Sequence, residues 1–319
     1  MKVLKYILKY FFILLIIVFI LLSIIPYFFS DNLNVAVSKP YSNSYFFSYN
    51  HTNFHFRLFV PKHIQHKTIL IHGFSASTFS FRHNIDSLVN NENLVVVIDM
   101  PAFGYSDKTE TANYTDTNKI QAIHFLLTMI NKHTNHQQWN LIGHSMGGTV
   151  IGQFASAYPQ QTNSLIFIDG LPFSSTHSSL QNIILYPPLL KWTDIVLKYK
   201  FLNTQSFQEL LSSAYGQTAD KPSVVGYMEP FKIQNSGSSI FRMAAHSGYA
   251  MISDSVINTI PKLIVWGKKD QWIPIENATD YFSKPNTTSL VVPNAGHCPM
   301  ETHPEKVNAT ITNFISNLD

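Results

Sequence analysis

The chain has one cysteine, Cys298, in 319 residues. That excludes an intrachain disulfide and any CxxC metal or redox site. Charge is scarce too: Asp, Glu, Lys and Arg together make up 13% of the chain, and the 22 basic residues exceed the 19 acidic ones by only three. The Lys and Arg are scattered and form no basic stripe, so no nucleic-acid partner is expected. There is no internal repeat and no low-complexity tract. With 45% of residues hydrophobic, disorder is excluded, and the length suits one large domain or a domain carrying a sizeable insertion.

One apolar run does stand out. Lys2, Lys5 and Lys9 precede a stretch from Tyr10 to Phe29 broken only by Ser23 and Pro26. A spanning helix needs about 20 apolar residues, whereas the core of a cleavable signal holds roughly 7 to 15. No convincing small-x-small cleavage site follows, and Val35-Ala36-Val37 has the wrong flanks. The expectation is an uncleaved membrane anchor over residues 1–31, ahead of a cleaved signal or a buried core helix. With lysines before the span and Asp31 after it, the positive-inside rule leaves the N-terminus cytoplasmic and the remaining domain extracytoplasmic, periplasmic in a bacterium. The sequons at Asn50, Asn113, Asn277, Asn286 and Asn308 are what chance supplies in a chain rich in Asn and Thr.

Beyond the anchor, strands alternate with helices, the pattern of a mostly parallel sheet covered on both faces. Residues 45–50 and 54–60 read as an antiparallel edge. Short apolar runs at 68–71, 94–98, 139–142, 165–168, 263–266 and 290–292 read as buried parallel strands. A helical period runs through 117–132, with Ile120, Ile123, Leu126, Leu127 and Ile130 on one face. The alternation breaks over residues 171–258, which carry Pro172, Pro187, Pro188, Pro222 and Pro230 and many aromatics. A structureless loop of that length is improbable in a compact domain, so a helical insertion lying over the sheet is predicted. The division is an anchor at 1–31, a core at 32–170 and 259–319, and a cap or lid at 171–258.

The strand at 139–142 runs into Gly143-His144-Ser145-Met146-Gly147 and then into helical sequence at 149–158. Gly-x-Ser-x-Gly alone recurs by chance. Between a strand and a helix it reads as a nucleophile elbow, where a tight turn exposes a serine hydroxyl and glycines let neighbouring chain approach. The turn also places the Met146 amide at a helix N-terminus, able to hold an oxyanion.

Here the chain resembles the α/β-hydrolase superfamily, from about Phe54 to Leu318. His72-Gly73-Phe74 is similar to the family's oxyanion loop, which implies the Phe74 N–H as the second donor beside Met146. Asp99-Met100-Pro101-Ala102-Phe103-Gly104-Tyr105-Ser106 is similar to the family's Asp-x-Pro-Gly-x-Gly-x-Ser loop, with Ala102 where glycine is usual and Asp99 read as turn-forming. The resemblance implies Asp270, after the strand 263–266, as the acid and His297, in Asn294-Ala295-Gly296-His297, as the base of a Ser145–Asp270–His297 triad. It implies an eight-stranded sheet and no metal or organic cofactor.

Each residue has a plainer competitor. An aspartate after a strand is commonly a turn or cap, and thirteen of the 14 histidines lack the setting of His297; His144 is read as support for the elbow and His246 as exposed. Cys298 is read as a packed small side chain and Glu301 as structural or exposed. Tyr186, Trp192, Phe201, Tyr215, Tyr227 and Phe231 are candidates for an acyl pocket or for plain packing of the cap. Serine at the elbow disfavours the branches that need a carboxylate nucleophile. The preferred expectation is a membrane-anchored esterase or lipase of monoacylglycerol-lipase-like character, taking a small-molecule or lipid ester. Two alternatives stand beside it: a hydrolase of carbon–carbon bonds in ring-cleavage products, and a non-enzymatic binding protein on the same fold.

Overall fold

The computed structural model describes residues 2–29, 39–134, 138–172, 184–248 and 251–318. Asp31, Val35-Ala36-Val37 and the opening of the insertion at 173–183 lie outside them.

All eight anticipated strands form, in one sheet of order β1-β2-β4-β3-β5-β6-β7-β8. Strands β1 (Ser44–Tyr49) and β2 (Thr52–Phe59) are antiparallel to each other, and β2 is antiparallel to β4 (Asn93–Ile98). The others, β3 (His66–Ile71), β5 (Trp139–His144), β6 (Thr162–Ile168), β7 (Lys262–Gly267) and β8 (Thr287–Val292), run parallel to β4 and to one another. Every residue of β3, β4, β5 and β7 is buried, which is why these segments read as continuous apolar runs.

Period-two alternation sorts their side chains between two cores. Val96, Leu141, Leu165 and Ile264 enter one core; Val97, Ile142, Ile166 and Val265 enter the other. Helices cover both faces. On the second core lies α2 (Ile85–Asn90); on the first lie α3 (Asp116–Asn131), begun by the Thr115 hydroxyl accepting the Asn118 N–H, and α4 (Met146–Ala157), which follows the elbow.

Between β6 and β7 the described residues are helical. They form α5 (Pro187–Val196) with its π-helical continuation Leu197–Phe201, α6 (Thr204–Tyr215), α7 (Lys221–Met228) and α8 (Ser236–His246). The prolines sit where they start helices: Pro187 opens α5, Pro222 lies in the first turn of α7, and Pro230 in the short turn after it. Asn203 and Asp220 cap α6 and α7. Buried Asp194 of α5 accepts the Gly237 and Ser238 N–H groups at 2.9 and 2.8 Å, joining α5 to the start of α8. Helix α9 (Asp254–Thr259) returns to pack on α4, and α10 (Pro304–Ser316) closes the second face.

The N-terminal helix α1 (Lys2–Ile24) is continued by a turn at Ile25–Phe28, and the 26-residue run Val3–Phe28 contains an 18-residue stretch of mean hydropathy 3.0. Its large apolar side chains are exposed. Its C-terminal end meets α5: the Trp192 indole N–H donates to the Leu22 carbonyl at 2.8 Å, and Tyr186 hydrogen-bonds Ser23 at 2.8 Å.

Candidate active site

Strand β5 turns into α4 through one residue. Ser145 holds φ 51° and ψ −118°, a conformation that side chains disfavour. Its N–H reaches the Ile168 carbonyl and its carbonyl accepts the Gly148 N–H, both at 2.9 Å. Three glycines make the turn possible. A methyl on Gly143 would meet the Gly148 nitrogen at 2.7 Å, one on Gly147 the Ile71 carbonyl carbon at 2.9 Å, and one on Gly170 the Ser145 Cα and N at 2.6 Å. The first two belong to the motif. Gly170 lies outside it and was missed, although a glycine directly after β6, the strand beside the elbow, was its signal.

The structure brings Asp270 and His297 together. His297 Nδ1 lies 2.7 Å from Asp270 Oδ2, and Asp270 Oδ1 accepts the Trp272 and Ile273 N–H groups at 2.8 and 3.0 Å. A carboxylate on Nδ1 fixes the proton there and leaves Nε2 as the acceptor. The loop carrying His297 is held by the insertion, since its N–H donates to the Ala214 carbonyl at 2.7 Å. The Trp272 indole, also missed in the sequence, stacks on the imidazole with centroids 5.4 Å apart.

His144 joins the elbow to this loop. Its Nε2 lies 2.8 Å from the His297 carbonyl, so Nε2 carries the proton, and its buried Nδ1 has no partner. Burial, reinforced by repulsion from His297, pushes its pKa down to about 3. It is a neutral strut.

The loop carrying Phe74 is set by a second neutral histidine. The Met100 N–H donates to His72 Nε2 at 3.0 Å, so Nδ1 bears the proton and donates to the Gly73 carbonyl at 2.7 Å. Burial lowers the His72 pKa against the pull of Asp99. Because the Gly73–Phe74 peptide is trans, pinning that carbonyl turns the Phe74 N–H the opposite way. Phe74 borders the same cavity as Ser145. Met146 is the first residue of α4, so its N–H has no acceptor four residues back within the helix.

Ser145 and His297 line one cavity of about 330 Å³. Its walls are apolar: Leu197, Phe201, Phe207, Leu211, Phe231 and Ile240 come from the insertion, and Phe74 and Trp272 from the core. Of the aromatics named from sequence, Phe201, Tyr227 and Phe231 border it. Tyr186 and Trp192 instead meet α1, stacking on Phe19 and packing on Phe29.

Tyr215 and Tyr227 converge on Glu301, which is fully buried rather than exposed and is paired with Arg82. That network ties α6 and α7 to the loops beyond His297 and Phe74. Cys298 is buried, and burial, with Glu301 nearby, pushes its thiol well above the ordinary range, as befits a packed side chain. His246 is half-buried with Nδ1 on the Arg242 carbonyl at 2.7 Å.

Asp99 is more than a turn-former. It is wholly buried and accepts from the Thr78 N–H at 2.6 Å, the Tyr105 N–H at 2.9 Å and His55 Nδ1 at 2.7 Å. Burial opposes its ionisation, but the hydrogen bonds from His55 and from the Tyr105 N–H hold its pKa below the ordinary value. The loop it organises carries Ala102 at φ 78°, where glycine would sit without strain. On the far side of His55, Nε2 lies 2.8 Å from Ser44 Oγ, which also accepts the Tyr41 N–H. Ser44–His55–Asp99 thus repeats the residue types of the candidate triad in a different chain order, but Ser44 is 8% exposed and His55 0%, so a substrate carbonyl has no approach.

The potential ligand atoms of Asp169, Asp270 and His297 lie within 4.8 Å of one another. A cation there would have to displace the His297–Asp270 hydrogen bond.

The sequence profile described as alpha/beta hydrolase fold matches residues 69–304. The chain belongs to that family. It is 24% identical over 251 residues to an uncharacterized hydrolase, YugF, of Bacillus subtilis strain 168, covering 77% of this chain and 89% of that one. It is also 24% identical over 265 residues to the monoacylglycerol lipase ABHD6 of Rattus norvegicus, covering 78% and 75%. Among solved structures, a probable hydrolytic enzyme from Pseudomonas aeruginosa PAO1 superposes with a TM-score of 0.70 at 16% identity, over 89% of this chain and 99% of the other. These likenesses place the chain among hydrolases.

Proposed function

We propose that the chain is a serine esterase or lipase acting on carboxylic esters with apolar acyl groups. The observation that carries this reading is the 2.7 Å hydrogen bond between His297 and Asp270, with both His297 and the strained Ser145 bordering one apolar cavity. Ser145 Oγ attacks the ester carbonyl while His297 Nε2 takes its proton, and the Phe74 and Met146 N–H groups receive the developing oxyanion. Asp270 holds the imidazole in its tautomer and balances the imidazolium. Collapse of the tetrahedral intermediate expels the alcohol, which leaves with the proton on Nε2. Water then repeats the sequence and frees the acid. No cofactor enters any step.

The insertion, residues 171–258, serves in this reading as a lid whose inner face is the acyl pocket. Residues 1–31 are its membrane anchor, with the catalytic domain extracytoplasmic. The contacts of Tyr186 and Trp192 with the end of α1 support a cavity that opens beside the bilayer.

A fluorophosphonate probe tests the nucleophile: Ser145 should be labelled, and Ser145→Ala should lose labelling and turnover. Labelling of another serine would overturn the assignment. A panel of p-nitrophenyl esters of increasing length tests the pocket, since each buried methylene should contribute about 0.8 kcal/mol. Phe231→Ala should move the preferred length, and an unchanged profile in a folded variant removes the lid from specificity. Turnover of vinylogous diketones without turnover of simple esters would replace the ester reading with carbon–carbon hydrolysis.

A further inference from the structure

Asp169 directly follows β6 beside the candidate triad, and nothing in the mechanism above uses it. It is 0% exposed and holds φ 42°. Its Oδ1 accepts the Gly267 N–H at 2.8 Å, while its Oδ2 is buried with no hydrogen-bond partner. The groups facing it are Asp270 and His297, within 4.8 Å, with Cys298 beyond. Two carboxylates sharing a buried site cannot both ionise freely, and one keeps a proton. The donors decide which one. Asp270 receives His297 Nδ1–H and two backbone N–H groups, whereas Asp169 receives a single backbone N–H. A charge on Asp270 is therefore the better stabilised, and the proton belongs on the unpartnered oxygen of Asp169.

We propose that Asp169 is a neutral carboxylic acid that donates its Oδ2–H to the Asp270 carboxylate, and so acts as a positioning residue for the Asp270–His297 pair. The bond fixes the plane of the Asp270 carboxylate. It also draws electron density from it, so that the shared proton stays on His297 Nδ1 and Nε2 keeps its acceptor role. With Asp169 neutral, the site carries one negative charge. A second negative charge would repel the Asp270 carboxylate instead of orienting it. Burial, above all, pushes the Asp169 carboxyl well above its ordinary range, in keeping with this arrangement.

This inference rests on the serine-hydrolase reading, and the two fail differently: unlabelled wild-type protein defeats the reading, while labelled wild type with the outcomes below decides the inference. Asp169→Ala removes the donor and should lower kcat by roughly 10- to 100-fold with little change in KM. Its acid limb of kcat against pH should shift as well. Asp169→Asn supplies an amide N–H2 in place of the carboxylic O–H and should restore most of the lost kcat and the wild-type pH profile. An Asn variant as impaired as Ala shows that a charged Asp169 is required and overturns the proposal, as does an Ala variant with wild-type kinetics. Should Asp169→Ala fail to fold, the infrared difference spectrum of wild type against Asp169→Asn at neutral pH still decides. It should show the C=O stretch of a protonated carboxylic acid, and its absence refutes the neutral acid. Activity lost to a chelator and restored by Zn²⁺ would put a cation in the proton's place and equally overturn it.

Discussion

Gly170 is one of three glycines on which the elbow geometry depends and the one outside the motif, and replacing it with alanine perturbs Ser145 without touching any reacting atom. The new methyl falls 2.6 Å from the Ser145 Cα and N, where ordinary contact begins at 3.4 Å. About an ångström of separation must therefore be found between two backbones. Neither strand yields easily, because the Ser145 N–H is bonded to the Ile168 carbonyl at 2.9 Å and Ser145 already sits at φ 51°. Overpacking of this kind costs about 1–3 kcal/mol in stability. The larger effect is on reactivity: displacing a reacting atom by about 1 Å costs on the order of 100-fold, or about 2.7 kcal/mol of barrier. The assay is the rate of fluorophosphonate labelling, with a thermal melt on the same samples. Gly152→Ala is the control, since its methyl would overlap the Pro172 side chain at 2.5 Å, on the interior of α4. It should shift the melt and leave the labelling rate alone. A folded Gly170→Ala protein that labels at the wild-type rate would refute the claim that this contact sets the position of the proposed nucleophile.

Three further outcomes follow from buried polar groups. Burial pushes the Lys108 ammonium down to about 8 from 10.5, against the pull of Asp99 and Asp107, a cost of about 3 kcal/mol while it stays charged. From about pH 8 to about pH 10.5 the unfolded chain binds more protons at this site, so its contribution to stability rises with pH. Urea midpoints should show wild type gaining on Lys108→Met between about pH 7.5 and about pH 9.5, and a constant difference would contradict this. Glu301→Gln leaves Arg82 without its counter-charge and should cost about 3–5 kcal/mol by denaturant unfolding. Because Tyr215 and Tyr227 are anchored on Glu301, KM for long-chain esters should rise more than kcat falls; equal changes in both would detach the network from the pocket. Ser44→Ala should lose about 1–3 kcal/mol through the orphaned His55 nitrogen, with unchanged fluorophosphonate labelling.

The central strands were legible because they are buried on both faces and hence unbroken in hydropathy, and the elbow because its glycines stand at fixed offsets from the serine. Boundaries failed where polar residues join the sheet. Strand β6 starts at Thr162 rather than 165, since Ser164 and Asn163 donate to Asn140 Oδ1 at 2.7 and 2.9 Å, a pairing that hydropathy cannot register. Strand β8 starts at Thr287 because it is the partly exposed edge. The direction in which Trp192 and Tyr186 point depends on where α1 ends, which no local pattern carries. Glu301 read as structural or exposed, and nothing in the sequence drew attention to Asp169, because a charge looks buried only once its partners are known. Arg82 stands 219 positions from Glu301 along the chain.

The Ser44–His55–Asp99 chain gives this molecule an internal reference for its own reactivity. Ser44 is hydrogen-bonded to His55 and Ser145 lines one cavity with His297, and the two histidines hold Nδ1 at the same 2.7 Å from their carboxylates. Only one of the two serines stands at a helix N-terminus beside a cavity. Under partial denaturation, as the cover over Ser44 loosens, the ratio of probe incorporation at the two serines separates what the relay alone confers from what the elbow and its donors add. A single polypeptide thereby holds temperature, solvent and probe constant across a comparison that otherwise requires two different proteins.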